Sequence, residues 1–297
     1  MRVRGENDVD ERLTVINSLH SDQNVITRTK VQQTTASWGI IVVKLTISLL
    51  NRTIIVLILM LLSAGAAGAE SVHSKWSELL SRHVHQGVVD YRGFKENEAE
   101  LDAYLAQLAE TDPEQLSEQD KLAYWINGYN SYTVKLILDN FKNGEPPSSI
   151  RRIGGLFSNP WKISFAVMGG TTYTLDNIEH DIIRVQFDEP RIHFAVNCAS
   201  KSCPILISEA YEGNTLDDQL EQSTRDFLEN PEHNFLEGDT LYVSSIFKWY
   251  KEDFKDDPLS FFLNHTSGEL QQQLRSRKEQ IRIKYADYDW SLNGAHE

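Results

Sequence analysis

Tyr124-Trp-Ile-Asn-Gly-Tyr-Asn-Ser-Tyr-Thr-Val-Lys-Leu-Ile-Leu138 places apolar and aromatic side chains around most of a helical circumference. A helix of that kind is buried on nearly every side, so it belongs at the centre of the fold. Ser117, with Asp120 three residues later, gives it a start close to a capping box. Gly144 and the Pro146-Pro147 pair stop it after about Phe141. Two residues in its middle fit poorly: Gly128 costs a helix about 1 kcal/mol relative to alanine, and asparagine is a weak helix former. Asn127 and Asn130, three apart, share one face. A buried amide without partners costs roughly 1–3 kcal/mol. These two therefore brace a neighbouring loop or meet a ligand, Asn127 as a group that polarises a carbonyl and Asn130 as a binding contact.

Working outward, Val72, Trp76, Leu79, Leu80 and Val84 recur at helical spacing, as do Leu101, Tyr104, Leu105 and Leu108. Downstream, Trp161 to Val167 alternates as a strand, Gly169-Gly170 turns it, and Thr171 to Thr174 returns as a hairpin. A helix is expected over 175–184. After Pro190, Ile192 to Cys198 reads as a buried strand. Helices over 215–228 and 246–254, a short strand over 241–243 and a last strand over 281–285 complete the order. Hairpins mixed with helices, without regular βαβ alternation, give an α+β domain with a small mixed or antiparallel sheet packed against several helices.

Residues 1–69 stand apart. Thr53 to Ala69 is a short apolar core behind Arg52, ending in Ala67-Gly68-Ala69. That pattern suits an export signal cleaved before Glu70, with translation starting near Val43. The alternative is an uncleaved anchor to the inner membrane over 38–69, although a spanning helix needs roughly 20 apolar residues. The expected location is therefore the periplasm or another exported compartment, with 70–297 as one globular domain. Seven of the 29 Lys and Arg and five of the 43 Asp and Glu precede residue 70, which leaves −16 on the remainder. So acidic a surface repels phosphate backbones and excludes nucleic acid as a partner. A peptide, glycan or small molecule fits better, and the membrane would be met only through the N-terminal segment.

Both cysteines lie in Asn197-Cys-Ala-Ser-Lys-Ser-Cys203. In an exported chain, Cys198 and Cys203 can form a disulfide that clamps this loop. Alternatively Cys198, where a strand ends and a loop begins, is a nucleophile whose thiolate Lys201 favours. The four-residue gap is not metal-binding spacing and no second ligand pair is evident, so no metal or cofactor is expected. His180 has Asp176 one turn earlier and Glu179 beside it, either of which can orient an imidazole. On a strand, His193 shares a face with Asn197, while Cys198 has the opposite parity, so a His193–Cys198 pair requires a bend near Asn197. Asp287 and Asp289, in the acid–aromatic tail, share the parity of Tyr285 and point inward or cap the sheet.

Five motifs in order, Tyr124 to Asn130, Leu175 to His180, Arg191 to Cys198, Ser202-Cys-Pro204 and Ser245 to Phe254, resemble the domain-of-unknown-function family numbered 547. The resemblance covers about Ser117 to Asp257, and the tail Tyr288 to Asn293 is similar to that of its bacterial exported members. It implies no settled reaction. From the residues themselves, the expected site is a polar pocket of Asn127, Asn130, His180, His193 and Cys198. The expected chemistry is acyl transfer or amide hydrolysis through Cys198, with one histidine as base and Glu179 or Asp176 as its orienter. The rival is a non-catalytic envelope binding module with Cys198 and Cys203 joined. Thiol–disulfide exchange is a third reading.

Overall fold

The computed structural model describes residues 71–154 and 159–294. The chain divides into two compact units, residues 1–69 and 70–297. The segment read as a signal peptide or anchor lies outside the described residues.

The second unit is α+β, and its central helix is Glu118–Leu138. From Leu122 to Leu138 only Lys135 escapes burial, so the helix is enclosed on all sides. Ser117 Oγ caps it, accepting the Asp120 amide at 3.2 Å and donating to Asp120 Oδ2 at 2.6 Å. Helix Glu98–Glu110 packs beside it and helix Ser74–His83 packs on Glu98–Glu110, with Trp76 stacked on Tyr104 at 5.8 Å. The antiparallel hairpin Ala166–Met168 with Thr171–Tyr173 covers another side, turning at Gly169 and Gly170, both at positive φ. The end of the Met168 side chain fills the space a Cβ at Gly128 would need, which explains a mid-helix glycine.

A second apolar cluster, rich in phenylalanine, is built from Phe227, Phe247, Phe254, Phe261 and Phe262. It lies under a three-stranded sheet in which Thr240–Val243 runs antiparallel to Phe235–Glu237 and parallel to Arg282–Tyr285. Helices Leu216–Glu229 and Pro258–His265 pack with it. Residues 192–196 join the two clusters: Ile192, Ala195 and Val196 belong to the first, Phe194 to the second. Both cysteines come directly after them, so the site is at this seam.

Several elements differ from expectation. The run from Ile192 to Cys198 is not a strand. Pro190–Phe194 is a 3-10 helix, opened by Pro190 and capped by Glu189 through the Arg191 amide. Beyond Phe194 the backbone is irregular, and its buried polar groups are met by a side chain instead of a neighbouring strand. Asn130 Nδ2 donates to Ala195 O at 2.9 Å, and Asn130 Oδ1 accepts the Asn197 amide at 2.8 Å. Face parity along 192–198 therefore has no meaning. Asn177–Ile183 is a π-helix rather than an α-helix. The hairpin's first strand is only Ala166–Met168, because Pro160–Lys162 forms a 3-10 turn. The helix beginning at Ile246 ends at Trp249 and continues as turns.

Candidate functional site

The cysteine loop is seated by amides. Asn197 Nδ2 donates to Pro204 O at 2.7 Å, and its Oδ1 accepts the Ala199 amide at 2.9 Å. Ala199 sits at φ +59°, which sends the backbone back on itself toward Cys203. The tail pairs with the outside of the loop: the Lys201 amide donates to Ser291 O and the Asn293 amide to Ala199 O.

Cys198 and Cys203 are free thiols of unequal exposure, Cys203 buried and Cys198 half-buried. The Cys198 amide donates to Cys203 Sγ at 2.9 Å. Cys198 Sγ is 3.0 Å from Ser200 Oγ and 3.3 Å from Tyr288 OH. The thiol of Cys203 and these two hydroxyls hold the Cys198 thiol down to about 7, against a burial effect that would raise it. Burial pushes Cys203 well up. Lys201 has no part in this: it is exposed, and its charge acts on Asp289. Neutral donors, not a cation, favour the thiolate.

Cys198 and Cys203 line a cleft of about 220 Å³. Glu179 and His180 from the π-helix, with Asp176 at its start, form a second wall, and Ile246, Trp249 and Tyr250 a third. Trp161, Tyr288 and Trp290 frame it, and Tyr129 and His193 also line it. A π-turn widens a helix locally and recurs at functional sites.

His193 is buried, and its Nε2 is 2.6 Å from Asp253 Oδ2. Asp253 is gripped from the other side by Arg184, Nε to Oδ2 at 2.6 Å and Nη2 to Oδ1 at 2.8 Å. Burial opposes ionisation of Asp253, but the hydrogen bonds from His193 and Arg184 outweigh it and hold the carboxyl well below its usual range. An ionised carboxylate only accepts, so the His193 proton is on Nε2 and Nδ1 keeps a lone pair. Burial lowers His193, which keeps the imidazole neutral. Tyr250 stacks on its ring at 3.9 Å.

His180 is arranged differently. Its Nδ1 is 3.0 Å from Arg184 Nη1, and arginine can only donate. The Nδ1 lone pair is thus taken, and the proton is on Nε2, 4.0 Å from Asp176 Oδ1. His180 cannot serve as a base without releasing Arg184. Of the two histidines, His193 is the one whose basic nitrogen has no hydrogen-bond partner among the described residues.

The remaining expected residues separate. Glu179 orients neither histidine: its Oε1 accepts the Tyr250 hydroxyl at 2.6 Å. Asn127 is fully buried and braces Tyr211, Nδ2 to O at 2.7 Å and Oδ1 from N at 3.0 Å. It does not line the cleft, so it polarises no carbonyl there. Asn130 likewise seats the loop and does not line the cleft. Asp287 and Asp289 are exposed, and Asp289 caps the turn at Ser291. Sequence reading missed Tyr250 and Asp253, inside the quoted run Ser245 to Phe254, and Tyr288 in the tail. Among the described residues no group of three or more His, Cys, Asp or Glu could hold a metal ion. Nor is any helix there long and apolar enough to cross a membrane.

A family model described as "Protein of unknown function, DUF547" matches residues 113–228. The chain carries a DUF547 segment. Nothing among curated proteins and no solved structure matches it. The DUF547 segment holds Glu179, His193, Cys198 and Cys203. Trp249, Tyr250, Tyr288 and Trp290 lie beyond the match, so residues downstream of the DUF547 segment complete the cleft, and Asp253, which bonds His193 from outside the lining, lies beyond it too.

Proposed function

We propose that this protein is a thiol-dependent acyl transferase or amide hydrolase with Cys198 as nucleophile, His193 as base and Asp253 as the carboxylate that orients it. One observation carries this reading: a single cleft is lined by a thiol held down to about 7 and by a neutral imidazole whose tautomer is fixed by Asp253. In the reaction the Cys198 proton passes to His193 Nδ1 while sulfur bonds to the substrate carbonyl carbon. The departing amine or alcohol takes that proton, leaving a thioester. Water or an amine then attacks the thioester, gives its proton to the same nitrogen, and the sulfur leaves as the thiolate. Asp253 supports the imidazolium formed in each half and takes no proton.

In this reading Thr53 to Ala69 directs export, and the substrate is a peptide, glycan or small molecule. The charge of −16 on residues 70–297 supports excluding nucleic acid. Treating the native protein with p-nitrophenyl acetate tests the assignment. A burst of nitrophenol with acetyl on Cys198, slowed about a hundredfold or more by His193→Gln, is expected. Acetylation spread over other residues, or unchanged in His193→Gln, would sink it.

A second reading, thiol–disulfide exchange, is favoured by the contact between Cys203 and Cys198. There the Cys198 thiolate attacks a disulfide, releases one half as a thiolate, and Cys203 displaces the other half. Glutathione disulfide should then yield a Cys198–Cys203 bridge faster than a lasting mixed disulfide. A persistent mixed disulfide at Cys198 would exclude it.

A further inference from the structure

We propose that the group delivered to Cys198 carries an alkylammonium, held in the cleft by Glu179 and the surrounding aromatic rings. The inference rests on Cys198 as nucleophile and adds the chemical class of its substrate.

Glu179 is 6% exposed, yet only one of its oxygens is engaged, by the Tyr250 hydroxyl. Its Oε2 has no hydrogen-bond donor among the described residues, and the residue lines the cleft. A carboxylate with so little contact with water and a single donor keeps one oxygen for a ligand, and a cation is the ligand that pairs with it best. The side chain of Asp176, also on the lining, makes no hydrogen bond among the described residues; His180 Nε2 is 4.0 Å from its Oδ1. The charge of Arg184 reaches Glu179, but Arg184 gives Glu179 no hydrogen bond. Arg184 is committed to both oxygens of Asp253 and to His180, and it does not line the cleft. No lysine or arginine is among the lining residues.

The other walls point the same way. Trp249 stacks on Trp290 at 5.6 Å, and Trp161 meets Trp290 edge-on at 5.8 Å. Aromatic faces attract cations, tryptophan most strongly. Arg151 already uses the Trp290 ring in this way at 5.1 Å, from the shallow groove next to the cleft. A neutral hydroxyl or amide could also donate to Glu179 Oε2 but would gain little from the rings, so the two classes are separable by charge.

Three matched chloroacetamides test this on the full chain in high salt, where the protein's general acidity is screened. They are N-(2-aminoethyl)chloroacetamide, its neutral N-propyl counterpart and the anionic N-chloroacetylglycine. Alkylation of Cys198 is followed by peptide mass spectrometry, and the same protein in concentrated urea supplies the intrinsic ratios. The expected cationic-to-neutral rate ratio exceeds the urea ratio by about tenfold or more, the gain of one charge-assisted contact. The anionic probe should fall below its urea value. Glu179→Gln should return the cationic preference close to the urea ratio. In the unmodified protein, ethylammonium chloride should slow the neutral probe where propanol does not, a readout that needs no variant.

A native ratio equal to the urea ratio, or a preference that survives in both Glu179→Gln and Asp176→Asn, overturns the inference. In that event rapid labelling of Cys198 by the neutral probe leaves the nucleophile standing. Labelling no faster than in urea with all three probes overturns both.

Discussion

Replacing Asn130 with alanine is the sharpest test of how the cysteine loop is held. The side chain is 2% exposed and makes two hydrogen bonds to the loop, to Ala195 O at 2.9 Å and from the Asn197 amide at 2.8 Å. Ala195 and Asn197 are themselves 2% and 3% exposed, so neither backbone group can turn to bulk water. Each orphaned group costs about 1–3 kcal/mol, so Asn130→Ala should destabilise the protein by ~2–6 kcal/mol. A water admitted to the vacated space would pull the value toward the lower end. Asn130→Asp keeps the acceptor for Asn197 but loses the donor to Ala195 and adds a buried charge, so it should be no better. Equilibrium urea unfolding followed by tryptophan fluorescence reads the loss as a lower midpoint. Residual native protein should also lose the low-pH alkylation of Cys198, because the loop that presents it has lost its seat. A loss below about 1 kcal/mol, the ordinary effect of a point substitution, would show that Asn130 does not hold the loop.

Three further outcomes are expected. Cys203→Ala removes the largest support of the Cys198 thiolate, worth about 1.5–3 kcal/mol as a hydrogen bond to a charge. The pH inflection of iodoacetamide alkylation should therefore rise from about 7 by at least roughly one unit; an unmoved inflection would contradict the assignment. Asp253→Asn should slow acetylation of Cys198 by about a hundredfold or more while leaving that inflection in place, which separates the orienting carboxylate from the thiolate's own partners. His73, buried and bonded to Tyr104 OH at 2.7 Å, is lowered from 6.5 to about 4 by burial. A histidine lowered by folding binds its proton more readily when unfolded, so its contribution is intact above 6.5 and lost as pH falls toward 4. The stability difference between wild type and His73→Gln should shrink by about 2 kcal/mol over that window, and a difference independent of pH would refute it.

Most of the fold could be read from side-chain pattern. The central helix was legible because burial on all sides leaves an unbroken apolar run with a serine cap before it, and the hairpin because Gly169-Gly170 admits the positive φ that its turn uses. The run 192–198 was misread because a buried apolar segment looks the same whether a strand or a helix-borne amide meets its backbone. The closeness of Cys198, Cys203 and His193, which line one cleft, was legible from the sequence, and their partners were not. Asp253 is hidden in Lys251-Glu252-Asp253, where charge normally means solvent. Continuing the parity of the last strand past Tyr285 favoured Asp287 and Asp289 as inward residues. The strand ends at Tyr285, and Tyr288 and Trp290 line the cleft instead. Asn127 and Asn130 were placed on one face correctly, but only tertiary contacts show that both are spent on backbone.

The pairing of the tail with the cysteine loop has a temporal consequence. Tyr288, one of the hydroxyls beside Cys198, and Ser291 and Asn293, which bond to the loop backbone, are synthesised some ninety positions after the thiol they serve. A nascent polypeptide that has not yet produced them holds its sulfur in a less acidic, less reactive form. Under the role proposed for Cys198, its ripening thus waits on residues 288–293, long after the thiol itself has been made.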